Sequence, residues 1–380
     1  MSLPRTIGFP RMMKERGERR AFLPEFVRRL ARRGVTAHLE AGCGSRSGYS
    51  LDDYRRAGAA VRECSREEAF GQDLVLVLRS PEPRELSLLR RGGCLISMLH
   101  FPTRPRRVAL LRELGLRAIS LDGIENDSSE RLVENMRAVA WNGLEAAFDV
   151  LERRCPGLMK PDGGPIRVLV LGSGMVGKDA VDAATKLGSV ERNNRHIEGG
   201  GPGVIVLTAG RNRTVHAATM ERLMRRTDVL VDASQRYDPS VPVIPNAWLG
   251  WLPEHAVVAD LAVDPYTLDT DPPVVRGLEG IPQGNLDKYL FAPDDPDWDA
   301  TVPPSIPSGH RRTVVSCYSW PGIHPEACMR RYGRQLEPMI EVLLRRGYDG
   351  LSPDGDHFER ALHRGGLRFW LQRGRESRRA

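Results

Sequence analysis

The chain has 380 residues, 41% of them hydrophobic, with a formal charge of +7. That is enough apolar material for a sizeable core in two domains, or in one large α/β unit with an appendage. No apolar run nears the roughly 20 residues of a membrane helix, and the opening MSLPRTIGFPRMMKERGERR lacks the apolar stretch of a secretory signal, so a cytoplasmic protein without membrane contact is expected.

In chain order, TIGFP reads as a strand, and LPEFVRRLARRG as an amphipathic helix with Leu23, Phe26, Val27 and Leu30 on one face and Gly34 at its end. VTAHLEAG, DLVLVLRSP, CLISMLHFP and LRAISLDGIE follow as strands, with a helix-like run between the last two. Residues 129–154 read as one long helix, and CPGLMKPDGGP (155–165) breaks it with proline and glycine at a probable joint. A second βα series then runs through IRVLVLGSG, VIVLTAG, DVLVDAS and AVVADLAVD. Residues 189–203 read as a surface loop by default, with an oligomer contact or a cofactor lid as alternatives, and 292–312 as a Pro/Asp-rich connection. Pro325–Arg346 returns to an amphipathic helix that contains Pro338. Alternating β and α at this spacing predicts α/β architecture: two Rossmann-like, doubly wound domains with an interdomain cleft. The expected division is 1–128 with 310–380 as the substrate domain, 129–164 as connecting helix and joint, and 165–309 as the dinucleotide-binding domain.

The stretch VLVLGSGMVGKDA supplies the sharpest motif. An apolar strand ends in Gly172-Ser173-Gly174-Met175-Val176-Gly177, and a helix-like run follows. Gly172 suits the tight turn, Gly174 a close approach of backbone to a pyrophosphate, and Gly177 close packing of helix on strand. Lys178 is followed by Asp179, so this is not a P-loop. The competing reading is a glycine turn used only for packing. The acidic residue that would hold an NAD ribose is missing. The second strand ends instead in Thr208-Ala209-Gly210-Arg211-Asn212-Arg213. Arg211 and Arg213 could hold a 2′-phosphate, which favours NADP(H) over NAD(H), against a reading of both as solvated surface.

The six cysteines lack CxxC spacing and read as reduced structural thiols. No metal is called for, since HPEAC (324–328) lacks the second histidine of HExxH. The positive charge is almost all arginine, spread among 49 acidic residues, and only the tail QRGRESRRA is densely basic. This argues against a nucleic-acid partner.

The segments IGFPRMMKERGERRAFLPEFVRRLARRG, EAGCGSRSGYSLDDYRRAGA, DLVLVLRSPEPRELSLLRRGGCLISMLH, VADLAVDPY and PGIHPEACMRRYGRQLEPMIEVLLRRG occur in this order. Together they resemble the alanine dehydrogenase/pyridine nucleotide transhydrogenase family, which includes lysine-forming saccharopine dehydrogenase. The resemblance weakens in 189–203 and 265–315. It implies that Arg19 binds the substrate carboxylate, that His100 is the catalytic acid/base, and that Asp264 stands near the nicotinamide and the substrate amine, with Asp260 as the alternative on that strand. It also implies a position near the substrate for Glu125. One departure stands out: Arg79 occupies the place of the family's lysine, and Ser80 that of a glutamate. Arginine cannot serve as a base, yet it can hold a carboxylate or polarise a carbonyl.

The resemblance implies an NAD(P)-dependent amino-acid oxidoreductase, alanine-dehydrogenase-like, that interconverts an amino acid with its 2-oxo acid and ammonia. Two alternatives stand beside it. One is an opine- or saccharopine-type enzyme that joins a 2-oxo acid to the amine of an amino acid. The other is an inactive NADP(H)-binding regulator. The expected partners are a small 2-oxo acid and an amine. The resemblance is compatible with a homo-oligomer and does not fix its size.

Overall fold

A computed structural model describes residues 3–56 and 60–376. Residues 57–59 of the YRRAGA motif, 1–2 of the opening and 377–380 of the basic tail lie outside the described residues. The chain divides into two compact units: residues 1–14, 18–135 and 324–380 form the first, and 15–17 with 136–323 form the second.

The first unit is built on six parallel strands: β1 (Thr6–Phe9), β2 (Thr36–Glu40), β3 (Val61–Cys64), β4 (Leu74–Arg79), β5 (Cys94–Met98) and β6 (Arg117–Ser120). Their order is β3-β2-β1-β4-β5-β6. In β4 the run LVLVL is buried throughout, as a parallel strand covered on both faces requires. Helix Pro24–Ala31 buries Phe26, Val27 and Leu30, so its predicted stripe does face the core. Helix Pro325–Arg346 does contain Pro338, and buries Met329, Leu336, Ile340 and Leu343 in the same cluster. At Gly333 a Cβ would stand 3.4 Å from the Phe26 ring, so the missing side chain lets these two helices approach.

The second unit holds β7 (Ile166–Leu171), β8 (Val204–Ala209), β9 (Val229–Asp232), β10 (Val257–Asp260), β11 (Leu290–Phe291) and β12 (Thr313–Ser316). Their order is β11-β12-β10-β9-β7-β8, with β11 alone antiparallel to its neighbour. Helix Met136–Arg154 covers this sheet through Ala140, Leu144, Phe148 and Leu151. Gly143 faces Leu261, where a Cβ would clash at 2.2 Å. Trp320 is buried, and its indole N–H donates to the Asp260 carbonyl at 2.8 Å. In both sheets the chain's direction of travel reverses beside the first strand, between β1 and β4 and between β7 and β9. In such sheets a ligand binds at that reversal, outside the carboxyl ends of the strands.

Three expectations are corrected. The long helix begins at Met136 and not at residue 129. Before it, the Asn126 side-chain oxygen accepts from the backbone N–H of Ser128 and Glu130, both at 2.9 Å, and competes with helical bonding. Residues 189–203 are not a loop throughout, because Val190–Glu198 is a helix capped by the Ser189 hydroxyl. An ion pair anchors it in place of an apolar stripe. Arg192 is buried, donates to Glu152 at 2.9 Å and also pairs with Asp149. Residues 310–323 belong to the second unit, where β12 pairs with β10.

Among the described residues no helix is long and apolar enough to cross a membrane. Replacing the buried Trp320 by alanine should destabilise the protein by about 3–5 kcal/mol. Urea unfolding followed by circular dichroism measures this.

Candidate active site

In the first unit, the carboxyl ends of β1, β4, β5 and β6 fall on one edge. The loop after β1 carries Glu18-Arg19-Arg20 with alternating burial: Glu18 and Arg20 inside, Arg19 exposed. Arg20 grips Glu18 with two parallel bonds, Nε to Oε1 at 2.8 Å and Nη2 to Oε2 at 2.5 Å. Burial would raise the Glu18 carboxyl, but the bonds and charge of Arg20, aided by Arg79, hold it below its usual value. Arg79 ends β4 and reaches Glu18 Oε2 at 3.6 Å. Arg20 is thus the internally paired arginine and Arg19 the exposed one, and both line a pocket with Pro10, Arg11, Gly42 and Arg46.

His100 follows β5 with φ = +51°, a left-handed conformation that costs a non-glycine residue energy. Its Nδ1 stands 3.2 Å from Asp122 Oδ2, and its backbone N–H donates to Asp122 Oδ1 at 3.1 Å. Asp122 is buried and also accepts from the Ser120 hydroxyl at 2.6 Å. Burial opposes its charge, yet the bonds and charge of His100, together with Ser120, hold its carboxyl well below the usual range. Asp122 therefore fixes the ring through Nδ1. Half of the His100 side chain is exposed. Nothing in the sequence singles out Asp122; Glu125, expected near the substrate, lies three residues on. The backbone carbonyl of Glu125 accepts from Arg364 at 2.8 Å, and the residue pairs with Arg131 in an isolated bridge. No hydrogen bond among the described residues brings Glu125 to His100.

In the second unit the glycine turn lies at the reversal between β7 and β9. Gly172 has φ = +95°, and a Cβ there would meet the Ala233 carbonyl at 2.6 Å. A Cβ on Gly177 would meet the Gly172 carbonyl at 2.4 Å, so Gly177 seats the helix against the turn. Around Gly174 the space is open, and Ser173, Gly174 and Met175 are exposed. Helix Met175–Ala184 starts here without a side-chain cap. Unpaired N–H groups, a positive helix end and an open glycine form a cradle that fits a pyrophosphate. Val176 is half-buried beneath it. Arg211 and Arg213 follow β8, the strand beside β7, with Arg213 donating to the Thr208 carbonyl at 3.2 Å.

Asp264 follows β10 directly after Val263, whose φ is +52°. It pairs with Arg236 at 2.8 Å, and Arg236 itself is nearly buried. Arg236 was not singled out from sequence, where it is one arginine among many. Asp260 is buried, pairs with Arg276 and accepts from the Ser316 hydroxyl at 2.8 Å, which makes it a strut. Asp232 ends β9 in register with Asp260. Burial pushes its carboxyl above the usual range, against two bonds from Ser234.

Two doubly wound sheets, one with a dinucleotide-type turn, define the class of nucleotide-binding α/β proteins. Residues 8–140 match the model of the alanine dehydrogenase/PNT N-terminal domain. The likeness to the alanine dehydrogenase/PNT family thus rests on the N-terminal third of the chain. The NAD(P) transhydrogenase subunit alpha of Cereibacter sphaeroides is 28% identical over 190 residues, 48% of this chain and 36% of that protein. Alanine dehydrogenase of Bacillus subtilis (strain 168) is 28% identical over 196 residues, 48% of this chain and 50% of that protein. The chain thus matches half or less of the length of either relative. A solved L-alanine dehydrogenase shares the fold with a TM-score of 0.71, at 23% identity, over 95% of this chain and 94% of that one.

The Asp122 contact has a pH signature. Its carboxyl is lowered in the folded state, so its contribution is complete above the unfolded value of about 3.9 and is lost as pH falls further. Asp122→Asn should therefore flatten the loss of stability between about pH 4 and pH 2. Urea midpoints measured across that range check it, and parallel curves for the two proteins would refute it.

Proposed function

We propose that the chain is an NAD(P)-dependent amino-acid dehydrogenase that interconverts an amino acid with its 2-oxo acid and ammonia. The observation that carries this reading is His100, strained at a strand end and oriented by a buried aspartate. The match of residues 8–140 to the alanine dehydrogenase/PNT N-terminal domain, the glycine cradle and the alanine dehydrogenase relatives support it.

When bound, a nicotinamide supplies or accepts the hydride. His100 moves protons through Nε2 while Asp122 keeps Nδ1 in its donor role. Arg19 and Arg79 hold carboxylate and carbonyl oxygens. Asp264, positioned by Arg236, favours a cationic iminium over the neutral imine. Glu125 is kept near the substrate on resemblance alone. The absence of a carboxylate at the end of β8, with Arg211 and Arg213 following, supports NADP(H) over NAD(H).

A second reading rests on Arg79. An arginine in place of a lysine, already turned towards a carboxylate, suits an acidic substrate. This favours an opine- or saccharopine-type enzyme that uses an amino acid as the amine.

Absorbance at 340 nm separates these readings. NADPH or NADH is paired with 2-oxo acids, first with ammonia and then with amino acids. Oxidation with ammonia alone supports the first reading, and oxidation only with an amino acid supports the second. Silence with every pair, with NADPH still bound, would leave a regulator. His100→Ala should lower turnover at least about a hundredfold, and near-normal turnover would remove it from the acid/base role.

A further inference from the structure

Tyr237 is 89% exposed, so the fold gains nothing by burying it. Its ring nevertheless carries the Arg211 guanidinium 3.8 Å from its centroid. Arg211 also donates to the Gln235 carbonyl at 3.4 Å. Arg211 lies after β8 and Tyr237 after β9, and these strands flank β7 on either side. The stack therefore links the two loops beside the glycine turn. The β9 loop touches that turn directly, at Ala233 and Ser234 against Gly172.

We propose that Tyr237 and Arg211 form a preassembled clamp for the adenosine 2′-phosphate end of the dinucleotide, which rests on the cofactor reading above. A pyrophosphate on the glycine cradle leaves the adenosine to extend towards β8, where the clamp stands. A guanidinium stacked by its face keeps its N–H edge for an anion, here the 2′-phosphate, with Arg213 close in sequence as a second cation. The ring of Tyr237 offers a flat surface on which a purine stacks. Tyr237 is thus a specificity residue that acts by holding Arg211 and by stacking the base.

Calorimetric titration with adenosine 2′,5′-bisphosphate and with 5′-ADP tests this without any turnover. The unaltered protein should bind the bisphosphate more tightly. Tyr237→Ala should weaken both ligands at least about threefold, and Tyr237→Phe should restore them. Arg211→Met should reduce the preference for the bisphosphate at least about tenfold. Unchanged binding in Tyr237→Ala would overturn the clamp and leave the cofactor reading standing. Failure of the unaltered protein to bind either nucleotide would overturn both.

Discussion

A parallel strand covered on both faces can offer side chains to a ligand only where it ends. The inner strands of both sheets obey this constraint, and the rest of the candidate chemistry depends on it, whereas edge strand β8 leaves Ile205 and Leu207 exposed. The strand interiors, such as LVLVL in β4 and VLVL in β7, are fully committed to the core. Arg79, His100 and Asp122 therefore stand at or just beyond the ends of β4, β5 and β6, and Asp232, Asp260 and the Asp264 loop at the ends of β9 and β10. Register does the alignment. Arg79 pairs with Met98, two residues before His100, and Ser97 pairs with Ser120, two residues before Asp122.

Charge at these ends is sorted by burial. In an arginine-rich chain, an interior guanidinium needs a dedicated carboxylate, because an unpaired buried charge is costly. Arg20 has Glu18, Arg276 has Asp260 and Arg236 has Asp264. By contrast Arg19 in the first unit and Arg211 and Arg213 in the second are exposed. The same sorting separates Asp264 from Asp260. Asp260 is sealed by Arg276 and Ser316, whereas Asp264 keeps more than a third of its side chain accessible.

What was legible in the sequence follows the same division. The glycine turn could be read because each glycine answers a local need: a positive φ at Gly172 and a carbonyl pressed against Gly177. Among the described residues, nine of the twelve strands lie in the apolar runs legible in the sequence, the last of them AVVADLAVD; β3, β11 and β12 do not. Helix Val190–Glu198 was opaque because Arg192 holds it to Asp149 and Glu152, and a charge anchor has no periodicity to detect. Asp122 was overlooked because nothing in LDGIEN separates one acid from the other. Only the pairing of β5 with β6 brings Asp122 to His100.

Strain marks the two strand ends that matter most for the proposed chemistry. Among the described residues, four non-glycine residues hold a positive φ: His100, Ser129, Leu187 and Val263. His100 and Val263 both follow strands of a sheet, and a β-branched valine pays more for this conformation than most residues. Each is held by an aspartate that receives its backbone N–H, Asp122 for His100 at 3.1 Å and Asp260 for Val263 at 2.9 Å. In the first unit the strained residue is itself the proposed acid/base. In the second it aims the next residue, Asp264, at Arg236. Strain that survives at such positions is over-determined by its surroundings, and that is a reason to look for function there and not at Ser129 or Leu187.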